Sequence, residues 1–336
     1  MVYSPRRMIR ALFPLAVAYR SGSWIDRLLY DAGLRNRAKI RLPVISVGNI
    51  AFGGTEKTPL TMQMLSFFLD KGLNPALITR GYKGRWEKRG GVLSDGKRVH
   101  GSWREAGDEP FMVSRRFRKV GIYVGRDRLA SCLKAEKDGF DVLVLDDGFQ
   151  YWALHRDLDI VLFNPLEKLA LREFVFSLRR ADFILVKEGS SRDALNRIGQ
   201  RFPQAGVFSY SIQNEGFFSP SDDLPIPVES LKKKRILAVC GIAHPERFFS
   251  LLEKCGLRPL RPLKFPDHHS YPRVSIEKIY AVCKKIDADV VLTTEKDVFK
   301  LDNLAKDREI SVFYNRIGVE VDRLFYQKIL SLLKVG

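Results

Sequence analysis

From Val44 onward, short β-branched apolar runs alternate with longer stretches whose apolar positions recur at helical spacing, the pattern of parallel α/β layers. The runs predict strands over Val44–Val47, Ala76–Thr79, Gly121–Val124, Val142–Leu145, Ile160–Phe163 and Phe183–Val186. Helices are predicted over Pro59–Asp70, Arg128–Lys137 and Ser191–Arg201. Between Gly81 and Gly101 the chain turns glycine-rich and basic around Ser94-Asp95-Gly96-Lys97, which predicts a hairpin outside the parallel sheet.

A polar section from Gln213 to Lys234, with Pro220, Pro225 and Pro227, interrupts this rhythm and predicts a linker. A second rhythm follows, with strands expected over Arg235–Cys240, Arg258–Lys264 and Val290–Thr293 and helices over Pro245–Lys254 and Val274–Lys285. The expected organisation is residues 1–41 as a basic amphipathic segment, 42–212 as a parallel-sheet domain, 213–234 as a linker and 235–336 as a smaller α/β domain. A chain of 336 residues with 45% hydrophobic content can fill one large or two medium cores.

The first segment differs in character. Arg6, Arg7 and Arg10 precede the apolar run Ala11–Tyr19, and Arg20, Arg27, Arg35, Arg37, Lys39 and Arg41 follow it. The run is shorter than the roughly 20 residues a membrane-spanning helix needs. No small-residue cleavage site follows, and Trp24, Ile25, Leu28, Leu29, Tyr30 and Leu34 continue the amphipathic pattern. Two readings fit: a helix lying in an anionic membrane surface, or a helix packed on the protein's own core.

The net charge of +18 implies an anionic partner, whether nucleic acid, membrane or a phosphorylated substrate. The four cysteines, Cys132, Cys240, Cys255 and Cys283, lack metal-site or disulfide-framework spacing, which suits a reducing, cytoplasmic setting.

The stretch from Val44 to Pro59 holds the clearest candidate chemistry. An apolar strand runs into Ala51-Phe52-Gly53-Gly54-Thr55-Glu56-Lys57-Thr58, which opens a helical segment. Such a loop aims backbone N–H groups and a helix N-terminus at a polyphosphate, with Lys57 on the phosphates and Thr58 on magnesium. The usual phosphate loop has glycine where Glu56 and Ala51 stand. A glycine turn that binds nothing is the alternative.

Val142–Leu145 leads into Asp146-Asp147-Gly148, placing two carboxylates at the carboxyl end of a strand, where open α/β sheets bind ligands and where a phosphate-loop site holds magnesium. Ala106-Gly107-Asp108-Glu109-Pro110 opens another helix; its acids are either capping groups or, for Asp108, a general base for an alcohol nucleophile. Arg80, Arg126 and Arg128 follow predicted strands and suggest a phosphate clamp. Asp267-His268-His269 lies on a proline-started loop, where His268 is either a surface residue or the partner of a catalytic carboxylate.

Together, Gly48-Asn49, Gly53-Gly54-Thr55, Lys57-Thr58-Pro59, Arg80-Gly81-Tyr82, Ala106–Pro110, Asp146-Asp147-Gly148-Phe149-Gln150, Arg156-Asp157, Gly241–Pro245, Arg247-Phe248-Phe249, Pro266-Asp267-His268 and Thr294–Asp297 resemble the tetraacyldisaccharide 4'-kinase (lipid A 4'-kinase) family, in order and over essentially the whole chain. The resemblance implies a P-loop NTPase-like parallel sheet domain with a second, smaller α/β domain and an N-terminal amphipathic helix. It implies ATP and Mg2+, with transfer of the γ-phosphoryl group to the 4'-hydroxyl of a tetraacylated glucosamine disaccharide 1-phosphate.

By the same resemblance Lys57 is the phosphate-loop lysine, Thr58, Asp146 and Asp147 attend magnesium, and Asp108 is the base assisted by His268. Glu109 and Arg128 fall at active-site positions. The implied setting is an anionic membrane surface, the cytoplasmic face of the bacterial inner membrane, with the protein peripheral or monotopic. No obligate protein partner is evident. A nucleic-acid-binding nucleotide hydrolase is disfavoured, since no helix-turn-helix, RNA-binding or zinc signature is present.

The chain departs from the family at three places. Glu56 replaces the glycine before the lysine, which predicts either weakened ATP affinity or an outward-turned Glu56. Tyr151 stands where many members carry histidine. The segment 164–173 keeps Leu171-Arg172-Glu173 but is shortened ahead of it. A catalytically weakened relative that binds lipid or nucleotide is the variant these departures suggest.

Overall fold

The computed structural model describes residues 21–22, 24–51, 56–165, 171–301, 304 and 310–333. Residues 1–20 of the expected interfacial segment, the expected phosphate-loop residues Phe52, Gly53, Gly54 and Thr55, and residues 166–170 of the shortened segment lie outside the described residues. The chain divides into two compact units, one running to Ser211 and resuming at Val319, the other spanning Ile212–Gly318.

The first unit is built on β1 (Val44–Asn49), β2 (Pro75–Thr79), β3 (Gly91–Asp95), β4 (Gly121–Val124), β5 (Val142–Asp146), β6 (Leu158–Phe163), β7 (Phe183–Lys187) and the start of β8 (Gly206–Phe218). Their order across the sheet is β8-β7-β6-β1-β5-β2-β4-β3. Neighbours are parallel except β3, which runs antiparallel to β4. The hairpin expected around Ser94–Lys97 is present, with Ser94 bridging back to Val99 around Gly96 at φ 80, and its first strand, β3, also adds to the sheet as an antiparallel edge strand. An edge strand needs apolar residues on one face only, which is why its composition hid it.

Every residue of β1 is buried between β5 and β6, with Val47 opposite Asp146. The helix α1 (Lys57–Asp70) begins soon after β1 and buries Leu60, Met62, Met64, Leu65 and Phe68. Helices α2 (Asp108–Arg116) and α3 (Arg128–Lys137) likewise enter next to strand ends, and α4 (Arg192–Arg201) follows β7. Residues 24–31 are helical, with Trp24, Ile25 and Leu28 exposed.

The second unit holds the rest of β8, β9 (Pro225–Ile226), β10 (Ile236–Cys240), β11 (Arg261–Lys264), β12 (Val290–Thr294) and most of β13 (Ser311–Val321). Strands β11, β10, β12 and β13 are parallel neighbours in that order, and β9 pairs antiparallel with β8. Helices α5 (Pro245–Lys254) and α6 (Arg273–Lys285) bury Phe248, Leu252, Ile276 and Ile279.

The expected domain limits are corrected in two places. The section 213–234 is not a linker, because β8 continues through it to Phe218 and β9 and the short helix Val228–Lys232 follow. Three consecutive exposed polar residues in β8, Gln213, Asn214 and Glu215, made it read as polar loop. The C-terminal helix α7 (Arg323–Leu333) belongs with the first unit, where the Phe325 ring packs edge-on against Phe183 at 5.3 Å and Phe208 at 5.7 Å.

Candidate functional site

The carboxyl ends of β1 and β5 gather the charged residues of the first unit. Lys57, the first residue of α1, holds its Nζ 3.2 Å from Asp147 Oδ1 and donates to Asn49 Oδ1 at 3.3 Å. Arg172 grips the same two residues: Nη1 donates to Asp147 Oδ2 at 3.0 Å, Nη2 pairs with Asp147 Oδ1, and Nη2 also reaches Asn49 Oδ1 at 2.6 Å. Arg172 is delivered there because its backbone N–H donates to Ile50 O at 2.8 Å and Ala51 bridges Leu171, so this segment docks on the continuation of β1. Burial pushes the Asp147 carboxyl up, but Lys57 and Arg172 overcome it and hold the group well below the ordinary carboxylate range.

Asp146 has the opposite character. It is buried at the end of β5 and accepts a hydrogen bond from Thr61 Oγ1 at 3.3 Å. Burial first, then the neighbouring Glu109 and Asp147 charges, push its carboxyl up to about 7 against the pull of Lys57 and Arg128. Thr58, one position after Lys57, donates from Oγ1 to Glu109 Oε2 at 2.9 Å. Thr58, Glu109 and Asp146 thus meet where negative charge is in excess.

Asp108 is buried at the start of α2, one residue before Glu109. Its position is set by glycines. Gly107 sits at φ 95, and the Arg80-Gly81-Tyr82 loop presses so closely on this turn that a Cβ on Gly84 would stand 2.5 Å from Gly107 N. A Cβ on Gly81 would stand 2.6 Å from Ala106 O. Only residues without side chains let these two backbones approach.

The three arginines expected as a clamp part ways. Arg80 and Arg126 both turn to Glu87, with Nε at 2.7 Å and 3.3 Å from its Oε1. Arg128 is buried, donates from Nη1 to Asp147 O at 3.0 Å, and stacks over Tyr151 at 5.3 Å. Burial lowers its guanidinium pKa, against Asp147 and Asp146, which raise it. Its Nε finds no hydrogen-bond partner among the described residues, leaving a buried donor at the site.

His268 lies in the second unit at φ 60, with its Nε2 3.2 Å from Lys296 Nζ and 3.7 Å from Asp267 Oδ2. Its loop is pinned through His268 N to Gly241 O at 3.2 Å and Lys300 Nζ to His269 O at 3.1 Å. Lys300 in turn pairs with the fully buried Asp297 at 3.4 Å.

Among the described residues no group of three or more His, Cys, Asp and Glu side chains forms a metal cage. Magnesium in nucleotide sites is held by one or two carboxylates with substrate phosphates completing the shell. The residues present fit that mode, since a hydroxyl at Thr58 and crowded carboxylates at Asp146, Asp147 and Glu109 form a hard-oxygen set whose mutual repulsion a divalent cation relieves.

Sequence patterns did not single out Asn49 or Gln150 by role. Asn49 is fully buried at the end of an apolar strand, and Gln150 Nε2 donates to its carbonyl at 2.9 Å and to Glu173 Oε1 at 2.6 Å. A buried amide closing a strand was the available signal.

A family model described as tetraacyldisaccharide-1-P 4'-kinase matches residues 8–334. The tetraacyldisaccharide 4'-kinase of Desulfotalea psychrophila is 36% identical over 326 residues, covering 92% of this chain and 93% of the relative. The protein of the same name from Syntrophus aciditrophicus is 31% identical, covering 99% and 95%. A crystal structure of LpxK from Aquifex aeolicus in complex with ATP is 27% identical with a TM-score of 0.77, covering 97% of this chain and 99% of that one. With its mostly parallel sheet and its charged residues at the ends of β1 and β5, the chain belongs to the tetraacyldisaccharide-1-P 4'-kinase family.

Proposed function

We propose that this chain transfers the γ-phosphoryl group of ATP to the 4'-hydroxyl of tetraacyldisaccharide 1-phosphate. The observation that carries the reading is the gathering of Lys57, Thr58, Glu109, Asp146 and Asp147 at the carboxyl ends of two parallel strands. Phosphoryl transfer depends chiefly on placing the phosphates and neutralising their charge.

Lys57 and the helix N-terminus behind it bind the phosphates, and residues 51–58 supply the loop. Thr58, Asp146 and Asp147, with Glu109, would hold Mg2+, which supplies positive charge to the phosphate oxygens. Arg172 keeps Asp147 ionised and oriented. Asp108 takes the proton of the acceptor hydroxyl. Arg128 adds buried positive charge next to the Asp147 carbonyl.

The acceptor's headgroup lies at a membrane surface, which accounts for the basic N-terminal segment. Support comes from Trp24, Ile25 and Leu28, exposed on one side of a helical stretch. No described helix is long and apolar enough to cross a membrane. The proposed location is the cytoplasmic face of the bacterial inner membrane, with the protein peripheral or monotopic.

The experiment is transfer of labelled γ-phosphate from Mg-ATP to tetraacyldisaccharide 1-phosphate in mixed micelles. Label in the lipid with the wild type and not with Lys57→Ala supports the reading. A folded wild type that leaves the lipid unlabelled refutes it.

A further inference from the structure

Glu56 occupies a position that disfavours any side chain, and an acidic one most of all. Its backbone is left-handed at φ 61, a region suited to glycine. It also immediately precedes Lys57 at the N-terminus of α1, where a carboxylate competes with an anionic ligand for the same N–H groups and positive helix end.

The fold gives that carboxylate another destination. Lys187 ends β7 and Tyr210 lies opposite it in β8, so the two side chains are register partners at the carboxyl edge of the sheet. Lys187 Nζ pairs with Glu56 Oε1, and the Tyr210 hydroxyl donates to Glu56 Oε2 at 3.2 Å. Both carboxylate oxygens are engaged, and the Glu56 side chain is only 12% exposed, so water and salt screen the pair weakly.

We propose that Lys187, with Tyr210, is a positioning residue for nucleotide binding. It draws the Glu56 carboxylate aside and neutralises it, so that a phosphate loop with glutamate in place of glycine still accepts a polyphosphate. The inference rests on the kinase reading above and adds a residue pair whose task is created by Glu56. Without the Lys187 charge, the Glu56 carboxylate, one position before Lys57 in the chain, competes with phosphate for that lysine.

Titration calorimetry of Mg-ATP on the full chain tests this. In Lys187→Met the Kd is expected to rise on the order of tenfold, with the KM for ATP rising in step and kcat and the acceptor KM moving less than about twofold. Lys187→Arg, which keeps the charge, recovers most of the lost affinity. Glu56→Gly combined with Lys187→Met binds Mg-ATP about tenfold more tightly than Lys187→Met alone, because the carboxylate that needed a partner is gone.

A lysine that merely braced the fold would not be rescued by removing Glu56. An unchanged Kd in Lys187→Met, or a double variant no tighter than the single, overturns the inference and leaves the kinase reading standing. A wild type that binds no Mg-ATP overturns both. Should Lys187→Met fail to fold, Tyr210→Phe carries the same comparison: a Kd about two- to threefold above wild type that falls again on adding Glu56→Gly supports the inference, and no change overturns it.

Discussion

The Lys57 ammonium stands 3.2 Å from Asp147 Oδ1, so the residue read as the phosphate lysine is held by the second carboxylate of the Asp-Asp-Gly turn. Arg172 holds the same carboxylate from the other side, which fixes Asp147 even when Lys57 turns to another anion. A lysine with an exchangeable partner is poised without being committed. Because the pair is partly exposed, with the Asp147 side chain 36% accessible, it adds little to stability, about 0–1 kcal/mol.

Lys57→Ala is therefore expected to fold normally and fail chemically. On the proposed role of Lys57 at the phosphates, loss of its charge predicts a fall in kcat/KM on the order of 10²–10³. Thermal unfolding and kinase assays on the same preparation check it. A melting temperature lowered by many degrees would mean that Lys57 is structural.

Asp146 sets a dependence of stability on pH. Its carboxyl is pushed up to about 7 in the folded chain from an ordinary value of 3.8, so between those values the folded state binds a proton that the unfolded state lacks. Stability from this group is then greatest at low pH and is lost as pH rises toward 7. Asp146→Asn, which stays neutral, should be more stable than the wild type by on the order of 2 kcal/mol near pH 8 without divalent metal, and no more stable near pH 4. Parallel urea-unfolding profiles across that range would contradict the assignment.

The turn that carries Asp108 is held by backbone contact. A Cβ on Gly84 would lie 2.5 Å from Gly107 N, 2.6 Å from Ala106 C and 2.6 Å from Glu105 O, all main-chain atoms that cannot rotate away. Gly84→Ala should shift Asp108 and lower kcat about 10- to 100-fold, with the Kd for Mg-ATP within about twofold. Equal losses in both quantities would show that the loop serves nucleotide binding instead.

Much of this was legible in the chain. The strands Val142–Leu145 and, apart from Ser46, Val44–Val47 are apolar because both faces of a central parallel strand are buried, and their polar ends, Asp146, Asp147 and Asn49, lie at the edge where open α/β sheets bind ligands. Lys57 and Thr58 follow from their place at a helix start. Lys187 and Tyr210 were not legible as a pair, because only the β7–β8 register sets them opposite each other. The pull of Glu87 on Arg80 and Arg126 was hidden for the same reason, since it joins loops after two different strands. The folded state of 213–234 was masked by the exposed run Gln213–Glu215 within β8, which makes strand and loop look alike in composition.

The exposed apolar residues near the N-terminus predict surface binding to anionic lipid. Replacing Trp24 and Ile25, which are 45% and 53% exposed, by serine should weaken binding to anionic vesicles without unfolding the chain. Raising the salt should weaken the wild type as well, since each basic residue near the surface contributes about 1 kcal/mol. Equal flotation of variant and wild type with vesicles would place the contact elsewhere.

The most direct test is where the phosphate goes. Wild-type protein, Mg-ATP and tetraacyldisaccharide 1-phosphate are incubated in mixed micelles beside Asp108→Asn, and the recovered lipid is read by phosphorus NMR. The account predicts a second phosphomonoester, on the 4' carbon, with the wild type alone, while Asp108→Asn still binds Mg-ATP. ADP release by the wild type with no second phosphate on the lipid would contradict it.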